Sequence, residues 1–88
     1  MNQAVPKAWR ELNSRQRDIL ITLYRQGPLP TGPFVELTTQ TSAWRNLQKL
    51  AEAGLVAREK GESDGREITN RLTDDGHALA ESVLAPDA

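Results

Sequence analysis

The chain has 88 residues, no cysteine and a formal net charge of −1, and seven of its 11 Lys/Arg but only three of its 12 Asp/Glu lie in residues 1–49. A chain of this length forms one domain with a modest core. The lack of cysteine excludes disulfides and thiolate metal sites as sources of further stability. Pairing with a second copy of the chain is then the common means of further stabilisation. Its apolar runs are far shorter than the ~20 residues of a membrane-spanning helix, and its first residues lack the core of a secretory signal, so we expect a cytoplasmic protein.

The chain is predicted to begin with residues 1–12 as an N-terminal arm or short leading helix. Residues 13–84 then form the folded domain, and residues 85–88 form a tail. Asn13 offers an N-cap oxygen, and Gln16 stands three residues later, as in a capping box. The helix that follows has one buried stripe at helical spacing, made of Gln16, Ile19, Leu20, Leu23 and Tyr24.

Gly27 and Pro28 end this helix, because glycine adopts the left-handed C-terminal conformation and proline lacks the amide of a continuing helix. Leu29 and Pro30 form a short extended link. Thr31 is predicted to cap a short second helix. The hydroxyl-rich residues 38–42 then provide a turn and the next N-cap.

The third helix has the clearest pattern in the chain. Ala43, Leu47 and Leu50 lie at i, i+4 and i+7 and form one narrow apolar face. Gly54 is predicted to close the helix, and Leu55 to fold back onto Leu50. Whether the helix begins at residue 39 or 41 stays open at this point.

The remaining residues predict a β-hairpin and a last helix. Residues 55–60 and 66–72 resemble two strands, and residues 61–65 contain the Asp-Gly pair that is typical of hairpin turns. Thr73 is predicted to cap the last helix, whose first turn carries Asp74 and Asp75.

Three segments in this order resemble winged helix-turn-helix transcriptional regulators of the MarR and PadR types, including small phage-repressor-like proteins of archaea. The segments are residues 47–56 (LQKLAEAGLV), residues 64–66 (DGR) and residues 72–76 (LTDDG). The resemblance covers about residues 14–80 and implies a mainly helical α+β fold with a small β-hairpin, in the order α-(β)-α-α-β-β-α.

The chain departs from that pattern at two points. The glycine usual in the turn between the second and third helices is absent. The sequence also ends after one short helix, where MarR proteins continue into long dimerisation helices and a ligand pocket, so no small-molecule effector is expected.

The resemblance places residues 39–54 in the major groove as the recognition helix and residues 58–68 on the backbone or minor groove as the wing. Arg45 has the geometry to pair with guanine, and Gln48 with adenine. Hydroxyls and amides at the start of the helix suit phosphates. The predicted DNA-binding residues are Thr39, Gln40, Thr41, Ser42, Trp44, Arg45, Gln48, Lys49, Arg58, Lys60 and Arg66.

Each assignment has an ordinary structural alternative. Arg45, Gln48 and Lys49 are then plain surface residues, and Arg66 pairs locally with Asp64. Trp44 either covers a thymine methyl or packs against the second helix or a partner. A last set of apolar residues forms either a homodimer interface or part of the core: Trp9, Leu12, Leu79, Val83 and Leu84.

The sequence predicts a sequence-specific, double-stranded DNA-binding transcriptional regulator, most simply a homodimeric repressor associated with a prokaryotic or viral nucleoid. The alternative is a winged helix that binds protein inside a transcription or chromosome assembly, which the acidic residues 50–88 favour. An enzyme, a cofactor and a metal are not expected. His77 is the only histidine, and Asp74 and Asp75 are adjacent and therefore point in different directions on a helix.

Overall fold

The computed structural model describes residues 6–35, 39–60 and 68–84, and these ranges contain five helices and one three-stranded sheet. The helices are α1 (Lys7–Arg10), α2 (Ser14–Gln26), α3 (Gly32–Val35), α4 (Gln40–Glu52) and α5 (Asp74–Leu84), and the strands are β1 (Leu29–Pro30), β2 (Val56–Lys60) and β3 (Ile68–Leu72). The order and types of the elements confirm the predicted winged helix plan. No helix among the described residues is long and apolar enough to cross a membrane.

The capping box predicted for α2 is present. The Oδ1 atom of Asn13 accepts a hydrogen bond from the backbone amide of Gln16 at 2.8 Å, and the backbone amide of Asn13 donates to Oε1 of Gln16 at 3.0 Å. The helix ends where Gly27 takes a φ of +85°, a conformation that costs glycine little. Two end signals therefore determine the length of α2.

The extended link at Leu29 and Pro30 is more than a connection, because it forms the edge strand of the sheet. The strand order is β1-β3-β2 and both pairings are antiparallel, with Leu29 opposite Asn70 and Pro30 opposite Thr69. An edge is the position that tolerates proline, which has no amide to donate. The predicted turn at residues 61–65 lies outside the described residues.

The core lies where α2, α3 and α4 pack together and against the sheet. Leu20, Leu47 and Leu50 are each at most 1% exposed. Trp9 of α1 joins the core at 7% exposure, so this side chain has almost no surface left for a partner chain. Of the two interpretations of Trp9, the structure favours the core.

The start of α5 is held against the end of α4. The Thr73 amide donates to the carbonyl oxygen of Leu55 at 3.1 Å, and the Thr73 hydroxyl donates to the carbonyl oxygen of Gly54 at 2.6 Å. The same hydroxyl caps α5 as predicted, by accepting from the Gly76 amide at 3.0 Å. Gly76 lies so close to Leu55 that a β-carbon there would overlap the Leu55 carbonyl group.

Candidate nucleic-acid interface

Helix α4 begins at Gln40, and Thr39 is its N-cap. Thr39 has extended backbone angles, and its hydroxyl oxygen accepts a hydrogen bond from the Ser42 amide at 3.1 Å. The open question of the helix start is thereby answered. The Thr39 side chain is exposed and its hydroxyl still has a proton to donate. The side chain of the predicted site residue Gln40 is not among those that the structure describes.

The end of α4 is a Schellman motif, as the sequence predicts. Gly54 has a φ of +80°, its amide donates to the carbonyl of Ala51, and the Leu55 amide donates to the carbonyl of Leu50, both at 3.0 Å. These bonds satisfy carbonyls that a helix end otherwise leaves unpaired. Both ends of the helix are therefore locally determined.

Between these ends α4 has one buried and one exposed face. Ala43 and Leu47 are at most 1% exposed, whereas Thr41, Arg45 and Lys49 are exposed at four-residue spacing on the other side. Within the described part of the chain, neither Arg45 nor Lys49 forms a salt bridge. The exposed face thus presents two cations and a hydroxyl to any ligand of the helix.

A polar contact that the sequence analysis missed joins α4 to the start of α2. The Oδ1 atom of Asn46 accepts hydrogen bonds from Nε2 of Gln16 at 3.3 Å and from Nδ2 of Asn13 at 3.4 Å. Gln16 is only 8% exposed. Its place in the buried stripe of α2 was the available signal, because a buried amide needs hydrogen-bond partners.

Arg58 of β2 points toward α4. Its Nε donates to Oδ1 of Asn70 at 2.9 Å, its Nη1 to Oε1 of Gln48 at 3.4 Å and its Nη2 to Oγ1 of Thr31 at 3.4 Å. The guanidinium carbon lies 5.8 Å from the centre of the Trp44 ring, within cation–π range. This placement differs from the predicted one, in which Arg58 serves the wing as a backbone contact.

Partial burial lowers the pKa of the Arg58 guanidinium below its ordinary value, because desolvation disfavours the charged form. An arginine starts from so high a value that it stays protonated at neutral pH. Arg58 is thus a half-buried cation with its hydrogen bonds made to the protein.

Asn70 of β3 is the buried centre of this network and was also missed. It is 0% exposed, and its Nδ2 donates to the carbonyl of Leu29 and to Oγ1 of Thr31, both at 3.2 Å. Thr31 lies directly before α3, as predicted for its cap, but the described contacts of its side chain are not to that helix. Its hydroxyl accepts from Asn70 and Arg58, and its backbone carbonyl accepts from the Phe34 amide instead. An asparagine in a run of good strand formers was the signal.

The other predicted site residues are placed as follows. Trp44 is 53% exposed, Gln48 and Ser42 are half-buried, Lys60 is exposed at the end of β2, and Arg66 lies outside the described residues. Of the remaining proposed interface residues, Leu12, Leu79 and Val83 pack against the core while partly exposed, and Leu84 is half-buried at the end of α5. In the described ranges no group of His, Asp and Glu is arranged to hold a metal.

Comparison with known protein families shows that residues 12–76 match the winged helix DNA-binding domain family. Over 82 residues the chain is 35% identical to the HTH-type transcriptional regulator PecS of Dickeya dadantii (strain 3937), covering 84% of this chain and 48% of that protein. The chain thus spans about half the length of this curated relative.

Solved structures show the same fold. A mutant of MepR from a multidrug resistant clinical isolate of S. aureus gives a TM-score of 0.80 at 21% identity, covering 92% of this chain and 62% of that one. YusO of Bacillus subtilis gives 0.77 at 28% identity, covering 84% and 54%. A mutant of ZitR from Lactococcus lactis gives 0.79 at 21% identity, covering 94% and 56%.

Proposed function

The chain belongs to the winged helix DNA-binding domain family, and on that premise we propose that it is a sequence-specific transcriptional regulator that binds double-stranded DNA through α4. The exposed face of Thr41, Arg45 and Lys49, opposite the buried face of the same helix, is the observation that carries this proposal. An α-helix fits the major groove, and cations supply most of the affinity for the phosphate backbone.

In the proposed complex the start of α4 meets the DNA first. Thr39, Thr41 and Ser42 direct their hydroxyls to phosphates, because helix N-termini commonly bind anions. Arg45, on the exposed face one turn further, pairs with O6 and N7 of guanine. Lys49 reaches a phosphate, and the wing of residues 58–68 lies on the adjacent backbone or minor groove with Lys60 and Arg66 as its contacts.

Selection from random duplexes followed by a salt titration tests this function. If the protein neutralises about five phosphates, the logarithm of the binding constant falls against the logarithm of salt concentration with a slope of about −4 to −5. Selection also shows whether the bound site has two symmetric halves. Failure to bind any duplex at low salt, even without sequence preference, would refute the proposal.

Two substitutions separate base reading from backbone binding. Arg45→Ala is expected to relax the preference at one base pair, at a cost of about 1–3 kcal/mol for the preferred base. Lys49→Ala is expected to weaken all sequences about equally and to reduce the salt slope by about one. Arg25→Ala removes an exposed arginine from the last turn of α2 and is the matched charge control.

We further propose that the protein acts as a homodimer on a pseudo-palindromic operator. Half-sites about 34–36 Å apart, one turn of DNA, would place both copies of α4 in major grooves on one side of the duplex. The partly exposed Leu12, Leu79 and Val83, with Leu84, supply apolar surface for the pairing. Sedimentation equilibrium that shows a monomer at tens of micromolar would exclude the dimer.

Repression by exclusion of polymerase is the simplest mechanism for such a dimer, since it needs no small-molecule effector. Transcription in vitro from a promoter that overlaps the selected site provides the test. Added protein is expected to reduce the transcript when the site is present and to leave a promoter without the site unchanged. An increase in transcript from the first promoter would identify an activator instead.

The alternative function is that of a protein-binding winged helix. The observation in its favour is the acidic second half of the chain, because nine of the 12 Asp/Glu lie in residues 50–88. The salt titration separates the two functions, because a protein-binding module has no reason to release counterions from a duplex.

A further inference from the structure

We propose that Arg58 determines which base Gln48 reads, by holding the Gln48 side-chain amide in one orientation. The inference rests on the proposed DNA-binding function and assigns a specificity role within it. Nη1 of Arg58 donates to Oε1 of Gln48 at 3.4 Å, so the carbonyl end of the amide faces the protein. The Nε2 donor then faces away from Arg58.

This orientation changes the base that glutamine favours. A free glutamine binds adenine with both ends of its amide, since Oε1 accepts from N6 and Nε2 donates to N7. When Oε1 is engaged by Arg58, the donor end is what Gln48 offers to a base edge. Guanine presents two acceptors in the major groove, O6 and N7, and adenine presents only N7 beside a donor. Gln48 is therefore expected to favour guanine over adenine.

Arg58 can impose this orientation because its own position is fixed from the core. Its Nε is bound at 2.9 Å to Asn70, which is fully buried and is itself held by Leu29 and Thr31. The guanidinium is planar and carries its donors in a rigid fork, so fixing Nε also fixes the direction of Nη1. A continuous set of hydrogen bonds thus runs from Asn70 in the sheet through Arg58 to Gln48 on α4.

Trp44 contacts the same guanidinium. The centre of its ring lies 5.8 Å from the guanidinium carbon, within cation–π range, and Trp44 stands one helical turn before Gln48 on α4. A phosphate role for Arg58 is less favoured, because three of its nitrogens already donate to protein acceptors. Lys60, two residues later and exposed, is the better phosphate ligand.

The main test compares base preferences of wild type, Gln48→Ala and Arg58→Lys on duplexes from the selection. Gln48→Ala identifies the base pair that Gln48 contacts. Arg58→Lys keeps the charge, but a single ammonium cannot hold Asn70 and Gln48 in the arginine geometry. The expected result is a shift of preference from guanine toward adenine at that one base pair, on the order of fivefold, the lower end of what one base contact provides.

The matched control is Arg71→Lys on β3. Arg71 is an exposed arginine that forms two hydrogen bonds to Glu59, at 3.2 Å and 3.4 Å, and has no part in the proposed site. Its replacement by lysine is expected to leave base preferences unchanged. Uniform weakening of all sequences by Arg58→Lys would overturn the inference, and so would a wild-type preference for adenine at the Gln48 position.

A second variant guards against a fold defect in Arg58→Lys. Gln48→Glu changes a half-buried surface residue, keeps an acceptor for Arg58 and removes the donor. It is expected to fold normally and to lose the guanine preference at the same base pair. Retention of that preference in Gln48→Glu would overturn the inference.

A measurement without DNA separates this inference from the proposed function. In the free protein, Arg58→Lys is expected to shift the NMR signals of the Gln48 side-chain amide and the Trp44 indole N–H, and Arg71→Lys is expected to leave both in place. An unmoved Gln48 amide in Arg58→Lys overturns the inference whatever the DNA experiments give. A wild type that binds no duplex instead refutes the proposed function and, with it, the base-reading step.

Discussion

Replacing Gly76 with alanine tests whether α5 is fixed against the end of α4. An ideal β-carbon at this position would overlap the carbonyl oxygen of Leu55 and would lie 2.9 Å from its carbonyl carbon. Both contacts are to backbone atoms, which cannot rotate away as a side chain would. Gly76 has no positive φ, so the alanine backbone itself is unstrained and the overlap is the only steric obstacle.

The expected cost follows from three contributions. Alanine gains about 1 kcal/mol over glycine inside a helix, while overpacking costs typically about 1–3 kcal/mol. If α5 moves away, the two hydrogen bonds from Thr73 to the carbonyls of Gly54 and Leu55 weaken, at about 1 kcal/mol each. The sum is a loss of roughly 2–4 kcal/mol of unfolding free energy, opposite in sign to helix propensity alone.

Urea unfolding followed by circular dichroism measures this difference. With a slope of about 1 kcal/mol per molar urea for a small domain, the midpoint is expected to fall by about 2–4 M. Ala78→Gly is the control, because Ala78 is exposed in the same helix and should show only the propensity cost of about 1 kcal/mol. A Gly76→Ala variant as stable as wild type, or more stable, would refute the close approach of α5 to Leu55.

Three further substitutions have expected magnitudes. Asn70→Leu fills a similar volume but leaves Arg58 and the Leu29 carbonyl without their hydrogen bonds to Asn70. The free energy of unfolding, measured with urea, is therefore expected to fall by about 2–4 kcal/mol. An unchanged stability would contradict the buried network. Thr39→Ala removes the N-cap of α4 and is expected to cost about 1 kcal/mol in thermal unfolding, whereas Thr39→Ser should stay close to wild type. Glu59→Gln breaks an exposed ion pair with Arg71. It is expected to lower the free energy of unfolding by less than about 1 kcal/mol at low salt and by still less at high salt. A larger decrease that does not depend on salt would show that another contact is involved.

Local signals in the sequence predicted the ends of the helices well. The Asn13 capping box, the Schellman motif at Gly54 and the Thr73 cap all depend on residues within a few positions of one another, and all three are present. The buried face of α4 followed from spacing alone, because only one side of a helix can face the core.

The contacts between distant segments could not be predicted in the same way. Asn70 lies 41 positions from Leu29 and 12 from Arg58, and no local pattern shows that their side chains meet. The same holds for Asn46, which meets Gln16 30 positions away. Pairing of β1 with β3 escaped prediction because a two-residue strand containing proline has no alternating pattern. The roles of Arg58 and Gln48 depend on these long-range contacts.

The net charge of −1 is a poor guide to what α4 can bind, because charges act over a limited range. Exposed charges more than about 10 Å apart are largely screened at 0.1 M salt. Near the exposed face of α4 the described charges include Arg45 and Lys49, with Arg58 half-buried behind Trp44. Among the acids of the second half, Glu59 is paired with Arg71, and Asp74 and Asp75 lie in the first turn of α5, where they complement the helix dipole.

The exposed Glu52, in the last turn of α4, is the acid of that helix. Glu52→Gln is therefore expected to strengthen DNA binding at low salt, whereas Glu81→Gln, an exposed change on α5, should alter it little. Equal effects of the two substitutions would mean that overall charge, and not the local field around α4, governs binding.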